Sequence, residues 1–118
     1  MFQIKRAYEP PASADGYRVL IDGLWPRGRS KEAAAVDEWL KDVAPSAELR
    51  RWFGHDPARW AEFKARYREE LKSATRSAAL ERLREAARTR GSVTLLFAAR
   101  DTTHNHAAVL LEVLNEQP

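Results

Sequence analysis

Two short stretches hold the side chains of this 118-residue chain best suited to chemistry. The first runs from Asp22 to Gly28 and carries a carboxylate, an indole and a guanidinium close together. Asp22 is a candidate general acid or base. Arg27 can clamp a phosphate or carboxylate with paired donors, and Trp25 offers a flat face for stacking. The second stretch runs from Arg100 to His106. Arg100 is a second anion clamp, and Thr102 and Thr103 supply hydroxyl donors. Asp101 and Asn105 add further polar groups, and His106 is a second candidate acid or base. A helix opening at this point presents free N–H groups and the positive end of its dipole to an anion.

Each of these residues also has a purely structural reading. Trp25 can plug the end of a sheet while Asp22 pairs with Arg27. His106 falls on the apolar side of its helix with Leu110 and Val113, where a histidine bonded to backbone is as well suited as a catalytic base. His104 and His106 are two positions apart and face different ways on a helix, so with Asp101 they form a metal site only in an irregular loop, and no metal is expected. His55, beside Asp56 at a helix start, reads as a surface residue. The second stretch has no glycine, so it is neither a Walker loop nor a dinucleotide fingerprint, and the sequence specifies no cofactor.

The elements that must position these groups follow from pattern. Arg18 to Asp22 is a short β-branched apolar run, read as a buried strand. Pro26 fixes its own backbone angle and drives Trp25 out of the helical region, while Gly28 permits a sharp turn. A rigid loop therefore leaves the carboxyl end of a core strand, which is where open α/β sheets bind ligands. Phe2 to Arg6 alternates as a strand, and Glu9 to Gly16 is a loop. Ser30 caps a short helix to Ala35. Val36 to Val43 fits helical spacing slightly better, yet it also reads as a strand with Trp39, Lys41 and Val43 on one face.

Further along, Ser46 caps a helix to about Phe53, and Gly54 and His55 break it. Asp56 and Pro57 start a long helix with Trp60, Phe63, Tyr67 and Leu71 on its buried face. After a break near Ser73, a helix from Ser77 to Thr89 buries Leu80, Leu83, Ala86 and Ala87, and Gly91 ends it. Ser92 to Ala98 is an unbroken apolar strand of the kind buried on both faces. A last helix runs to about Asn115. This order predicts an α/β fold, a three-layer sandwich with a small, mostly parallel sheet flanked by helices.

The chain resembles the YeaO-like family of bacterial proteins, a domain of unknown function (488), whose members typically read V-D-R-L-W-P-R-G where this sequence has Ile21 to Gly28 without the first position matched. The likeness continues through Trp39 to Lys41, Ala44 to Ser46, Leu49 and Arg50, Phe63 and Tyr67, Thr94 to Leu96, and Asn105 to Ala107. It implies a strand after a short crossover helix at 36–43 and one YeaO-like domain over residues 1–118. It implies no particular activity. One position departs from the pattern: Gly23 stands where the family usually has arginine.

Composition bounds the function. The chain has no cysteine, which excludes disulfides, thiolate metal sites and cysteine nucleophiles. A strand–loop–helix cradling an oxyanion is similar to phosphatase and rhodanese architecture, but that chemistry needs the cysteine. There is no signal-peptide pattern and no apolar run long enough to span a bilayer, so a soluble cytoplasmic protein with no membrane partner is expected. The balance of 20 basic and 17 acidic residues is a mild bias toward anionic partners. The first expectation is therefore a site for a small phosphate- or carboxylate-bearing metabolite, with Asp22 or His106 as the acid or base if the site is enzymatic. The alternative is a nucleic-acid-binding or regulatory protein using its arginine-rich helices, although acidic residues alternate with the basic ones. A non-catalytic interaction module comes third.

Overall fold

The computed structural model describes residues 1–116. Four parallel strands form one sheet in the order β1-β4-β2-β3, with β1 at Phe2–Arg6, β2 at Tyr17–Leu20, β3 at Glu38–Trp39 and β4 at Val93–Phe97. The most apolar strand, β4, is central and buried along its whole length, as a strand covered on both faces must be. It pairs β1 in the register Ile4 to Leu95 and β2 in the register Val19 to Leu95. The expected parallel neighbours around 18–22 and 92–98 are thus adjacent.

The helices are α1 (Lys31–Ala34), α2 (Ala47–Phe53), α3 (Trp60–Glu70), α4 (Ala74–Arg90) and α5 (His106–Asn115). Alternation along the strands sends Val19, Ile21, Val93, Leu95 and Phe97 to one face, where they join Phe63, Tyr67, Leu83 and Leu110 in the main core. Each such buried side chain contributes about 1.5–3 kcal/mol of transfer free energy. The opposite face is thinner. Leu20 and Leu96 meet Ala7, Trp25, Val36 and Trp39 there. Beside them, Arg18 is buried and fully engaged: Nη1 binds Asp15 at 2.5 Å, Nε the Ala35 carbonyl at 2.9 Å and Nη2 the Ala34 carbonyl at 2.8 Å. The α/β layering is therefore unequal, with four longer helices on one side and α1 with connecting loops on the other.

The long helix expected from Pro57 opens as a 3₁₀ turn at Pro57–Arg59 before α3 begins, and two further boundaries differ from expectation. The segment 36–43 is a strand only at Glu38–Trp39. Leu40 N–H still reaches the Leu20 carbonyl at 2.9 Å, but β2 ends there, and Lys41–Val43 coils into a 3₁₀ turn that drops Val43 into the core. Lys41 consequently does not share a strand face with Trp39 and Val43; its ammonium lies 4.1 Å from the centre of the Trp39 ring. The fourth helix begins at Ala74 rather than Ser77, because the Ser73 hydroxyl accepts the Arg76 N–H as an N-cap. Among the described residues no helix is long and apolar enough to cross a membrane.

Candidate functional site

The parallel arrangement brings every strand's carboxyl end to one edge, and a pocket of about 440 Å³ opens there. Tyr8 enters it after β1, Asp22 to Arg27 after β2, Ala44 and Pro45 after β3 and its turn, and Ala98 and Ala99 after β4. Arg50 and Phe53 reach in from α2, Phe63 from α3, and Asn105 and His106 from the start of α5.

The loop after β2 is braced as its composition requires. Pro26 O accepts the Arg29 N–H at 3.3 Å across a turn in which Gly28 takes φ +80°, a left-handed value that suits glycine. Trp25 Nε1 donates to the Arg29 carbonyl at 2.7 Å, and its ring stands edge-on to Trp39 with centroids 5.4 Å apart. Tyr8 Oη donates to the Arg27 carbonyl at 3.0 Å. Trp25 is half-buried and forms part of the pocket wall.

Asp22 sits at the floor. Its Oδ2 accepts the Ala98 N–H at 2.9 Å, tying the end of β2 to the end of β4. His106 Nε2 faces the Ile21 carbonyl at 3.0 Å, which requires that nitrogen to carry the proton. The same nitrogen lies 3.2 Å from Asp22 Oδ1. Because the N–H is aimed at Ile21, Asp22 Oδ1 gains a nearby donor group without an aligned hydrogen bond, and it remains a buried acceptor without a partner. Asp22 and His106 are therefore a pair, whereas the Asp22–Arg27 ion pair considered from sequence does not form: among the described residues no carboxylate lies within 4.0 Å of either Arg27 or Arg50.

The stretch from Arg100 to His106 divides. Asn105 lines the pocket and caps α5, its Oδ1 accepting the Ala108 N–H at 3.0 Å. Arg100, Thr102 and Thr103 are exposed and lie outside the pocket lining. Asp101 also lies outside it and is occupied within its own loop, accepting the N–H groups of His104 and Thr103 at 2.9 Å each and facing His104 Nδ1 at 2.9 Å. The His104 backbone N–H, then that of Thr103, then the His104 ring hold the Asp101 carboxyl down at about 2. The ionised Asp101 thereby orients the His104 ring, which lines the pocket and stands edge-on to Trp60.

Four further polar residues line the pocket: Tyr8 and Arg50, which the sequence reading did not single out for a site, His55, which it read as a surface residue, and His104, which it weighed only as a metal ligand. All three histidines of the chain border this pocket. Arg50 had a signal, since it belongs to the stretch matching the YeaO-like pattern. Its position also bears on Gly23. A Cβ built on Gly23 would lie 3.8 Å from Arg50 Nη2, so the space that a larger side chain at 23 would enter is already bordered by a guanidinium. No group of three or more histidine, aspartate or glutamate side chains among the described residues is placed to hold a metal.

The family model described as "Inactive DUF488-N3 subclade" matches residues 1–118. The chain belongs to this family. It is 47% identical over 113 residues to the uncharacterized protein Rv3073c of Mycobacterium tuberculosis strain H37Rv, covering 96% of this chain and 92% of that one. The uncharacterized protein YeaO of Escherichia coli K12 is 43% identical over 112 residues, with 95% of each chain covered. The YeaO-like resemblance seen in the sequence is thus upheld. No solved structure matches the chain. In this DUF488-N3 member Trp25, Pro26 and Arg27 line the pocket.

Proposed function

We propose that this protein binds a small phosphate- or carboxylate-bearing molecule in the pocket at the carboxyl edge of its sheet, and that binding rather than bond-making is its role. The observation that carries the reading is the pair of guanidinium groups, Arg27 and Arg50, that border the pocket with no carboxylate within 4.0 Å among the described residues. Two such cations against the single carboxylate of Asp22 leave the pocket with a positive balance, which favours an anion.

Support for a non-catalytic role comes from what the other groups are already doing. Asp22 and His106 are directed at backbone groups of the residue after β4 and of the residue after β2, and act as braces. Among the described residues no serine, threonine, cysteine or lysine lines the pocket, which leaves covalent catalysis by those nucleophiles without a residue there. The description of the family as an inactive subclade agrees with this reading. The nucleic-acid alternative draws less support. Arg66, Arg68, Arg82, Arg84 and Arg88 on the long helices each face a glutamate within 4.0 Å, so much of that basic surface is locally neutralised.

The test is a calorimetric titration of wild type and Arg27→Ala with phosphate- and carboxylate-bearing metabolites, paired with melting curves. Wild type is expected to bind and Arg27→Ala to bind several-fold more weakly with an unchanged Tm, because the exposed Arg27 side chain supports no other group in the fold. Equal affinities in the two proteins, or no binding of any anion, would sink the proposal.

A further inference from the structure

Resting on the anion-binding reading, we infer that the ligand is a flat aromatic monoanion, one or two rings ending in a single carboxylate, and that Arg50 is the residue that selects its charged end. The walls call for the ring. Trp25 and Pro26 form one side of the pocket, Pro45, Phe53 and Phe63 contribute further apolar surface, and Ala44, Ala98 and Ala99 leave room with their small side chains. Phe53 and Phe63 are stacked on each other, with centroids 4.4 Å apart and planes at 23°, and are only 5% and 2% exposed, so they back the pocket as a rigid support while half-buried Trp25 is the ring open to a guest. Offset or edge-on packing against that indole favours a planar guest beyond the area it buries. A volume of about 440 Å³ falls within the range of pockets that enclose small organic ligands.

The polar groups restrict the rest of the ligand. A sugar or polyol needs several neutral hydrogen-bonding side chains. Asn105, the only carboxamide of the lining among the described residues, is already committed at both ends, donating to the Asp101 carbonyl and accepting from Ala108 N–H. Tyr8 spends its hydroxyl proton on Arg27 O. Two arginines less one aspartate leave one net positive charge when the imidazoles are neutral, which matches a single anionic group better than a polyphosphate.

Arg50 is better placed than Arg27 to make the selection. It rises from helix α2 beside the apolar wall, and it borders Gly23, the residue after Asp22, where the absence of a side chain leaves that side of the guanidinium clear. Both side chains are exposed, and what separates them is position: Arg27 projects from the turn after Trp25 and Pro26, whereas Arg50 borders Gly23. Arg50 is thus the specificity residue and Arg27 a second donor at the mouth.

The experiment uses four probes on the intact chain: 2-naphthoate, its neutral amide 2-naphthamide, acetate and inorganic phosphate. Affinities are measured by calorimetry or ligand-observed NMR for wild type, Arg50→Ala and Arg50→Lys, with a melting curve for each. Naphthoate is expected to bind at least tenfold more tightly than the other three. Arg50→Ala should lose at least fivefold for naphthoate and nothing for the amide, and Arg50→Lys should recover part of that loss. Acetate or phosphate binding as tightly as naphthoate overturns the aromatic inference while leaving the anion reading standing. Naphthamide binding as tightly as naphthoate, or no binding of any probe, overturns both. An unchanged naphthoate affinity in a folded Arg50→Ala protein removes Arg50 from the role assigned to it.

Discussion

Replacing Asp22 is expected to weaken the fold and strengthen anion binding at the same time. The carboxylate accepts the Ala98 N–H at 2.9 Å, so it links the ends of β2 and β4, and it lies 3.2 Å from His106 Nε2 at the start of α5. A hydrogen bond to a charged group is worth about 1.5–3 kcal/mol. Asp22→Ala should therefore cost about 2 kcal/mol, since the released Ala98 N–H is only partly shielded from water. For a chain of 118 residues roughly 3–6 °C of Tm accompanies each kcal/mol, interpolating between smaller and larger domains. The melting temperature should fall by about 6–12 °C. Asp22→Asn keeps an acceptor for Ala98 but loses the charge. A charge-assisted bond is about twice as strong as a neutral one, so this loss is about 1 kcal/mol. The asparagine variant also removes the one carboxylate facing Arg27 and Arg50 across the pocket, so its affinity for an anion should rise several-fold. Melting curves at neutral pH and titration with 2-naphthoate measure both effects. An unchanged Tm in Asp22→Ala would refute the bracing role. Weaker anion binding in a folded Asp22→Asn protein would show that Asp22 works on the ligand itself.

Three further expectations concern the frame around the site. Gly16 has φ +64°, and a Cβ there would lie 2.5 Å from Ser92 O, whose position is held by the Tyr17 N–H at 2.9 Å. Gly16→Ala should cost several kcal/mol, read as a Tm loss of roughly 10 °C or more, whereas Gly28→Ala, with nothing within 4 Å of its Cβ, should lose only about 1 kcal/mol to backbone strain; similar losses in the two would refute the steric argument. Tyr67 Oη donates to the Val43 carbonyl at 2.5 Å inside the core, so Tyr67→Phe should destabilise by about 1–3 kcal/mol in urea unfolding, and a neutral result would mean that water replaces the bond. Asp101 has its carboxyl lowered from 3.8 to about 2, so its contribution to stability is present above 3.8 and disappears as pH falls toward 2. Wild type should melt above Asp101→Asn at pH 5, with the gap closing by pH 2, and a gap independent of pH would contradict the assignment.

Much of the fold was legible in local pattern. The apolar run from Val93 to Phe97 can satisfy its side chains only as a strand covered on both faces, and Asp56-Pro57, Ser46 and Gly91 mark helix ends by backbone chemistry that needs no tertiary partner. The segment 36–43 was harder, because its two periodicities nearly coincide. Its outcome depends on where β2 stops offering carbonyls, a fact about a neighbour rather than about the segment itself.

The candidate site divides in the same way. The sequence by itself determined that a stiff loop bearing Trp25 and Arg27 leaves a core strand, since proline and glycine restrict the backbone locally, and that no thiol chemistry is possible, since the chain has no cysteine. Only the tertiary structure decided which residues face that loop. Arg50 and His55 come from α2 and the turn after it, Tyr8 from the end of β1, and His104 from a loop whose neighbours Arg100, Thr102 and Thr103 stay outside the pocket. Contacts between residues this far apart in the chain are set by sheet order and helix packing, which act through space and leave no periodic trace in any one segment. The pairing of Asp22 with His106 in place of Arg27 has the same origin: α5 packs against β1 and β4, and that docking brings His106 to the strand end, while the Pro26–Gly28 turn carries Arg27 out to the pocket mouth.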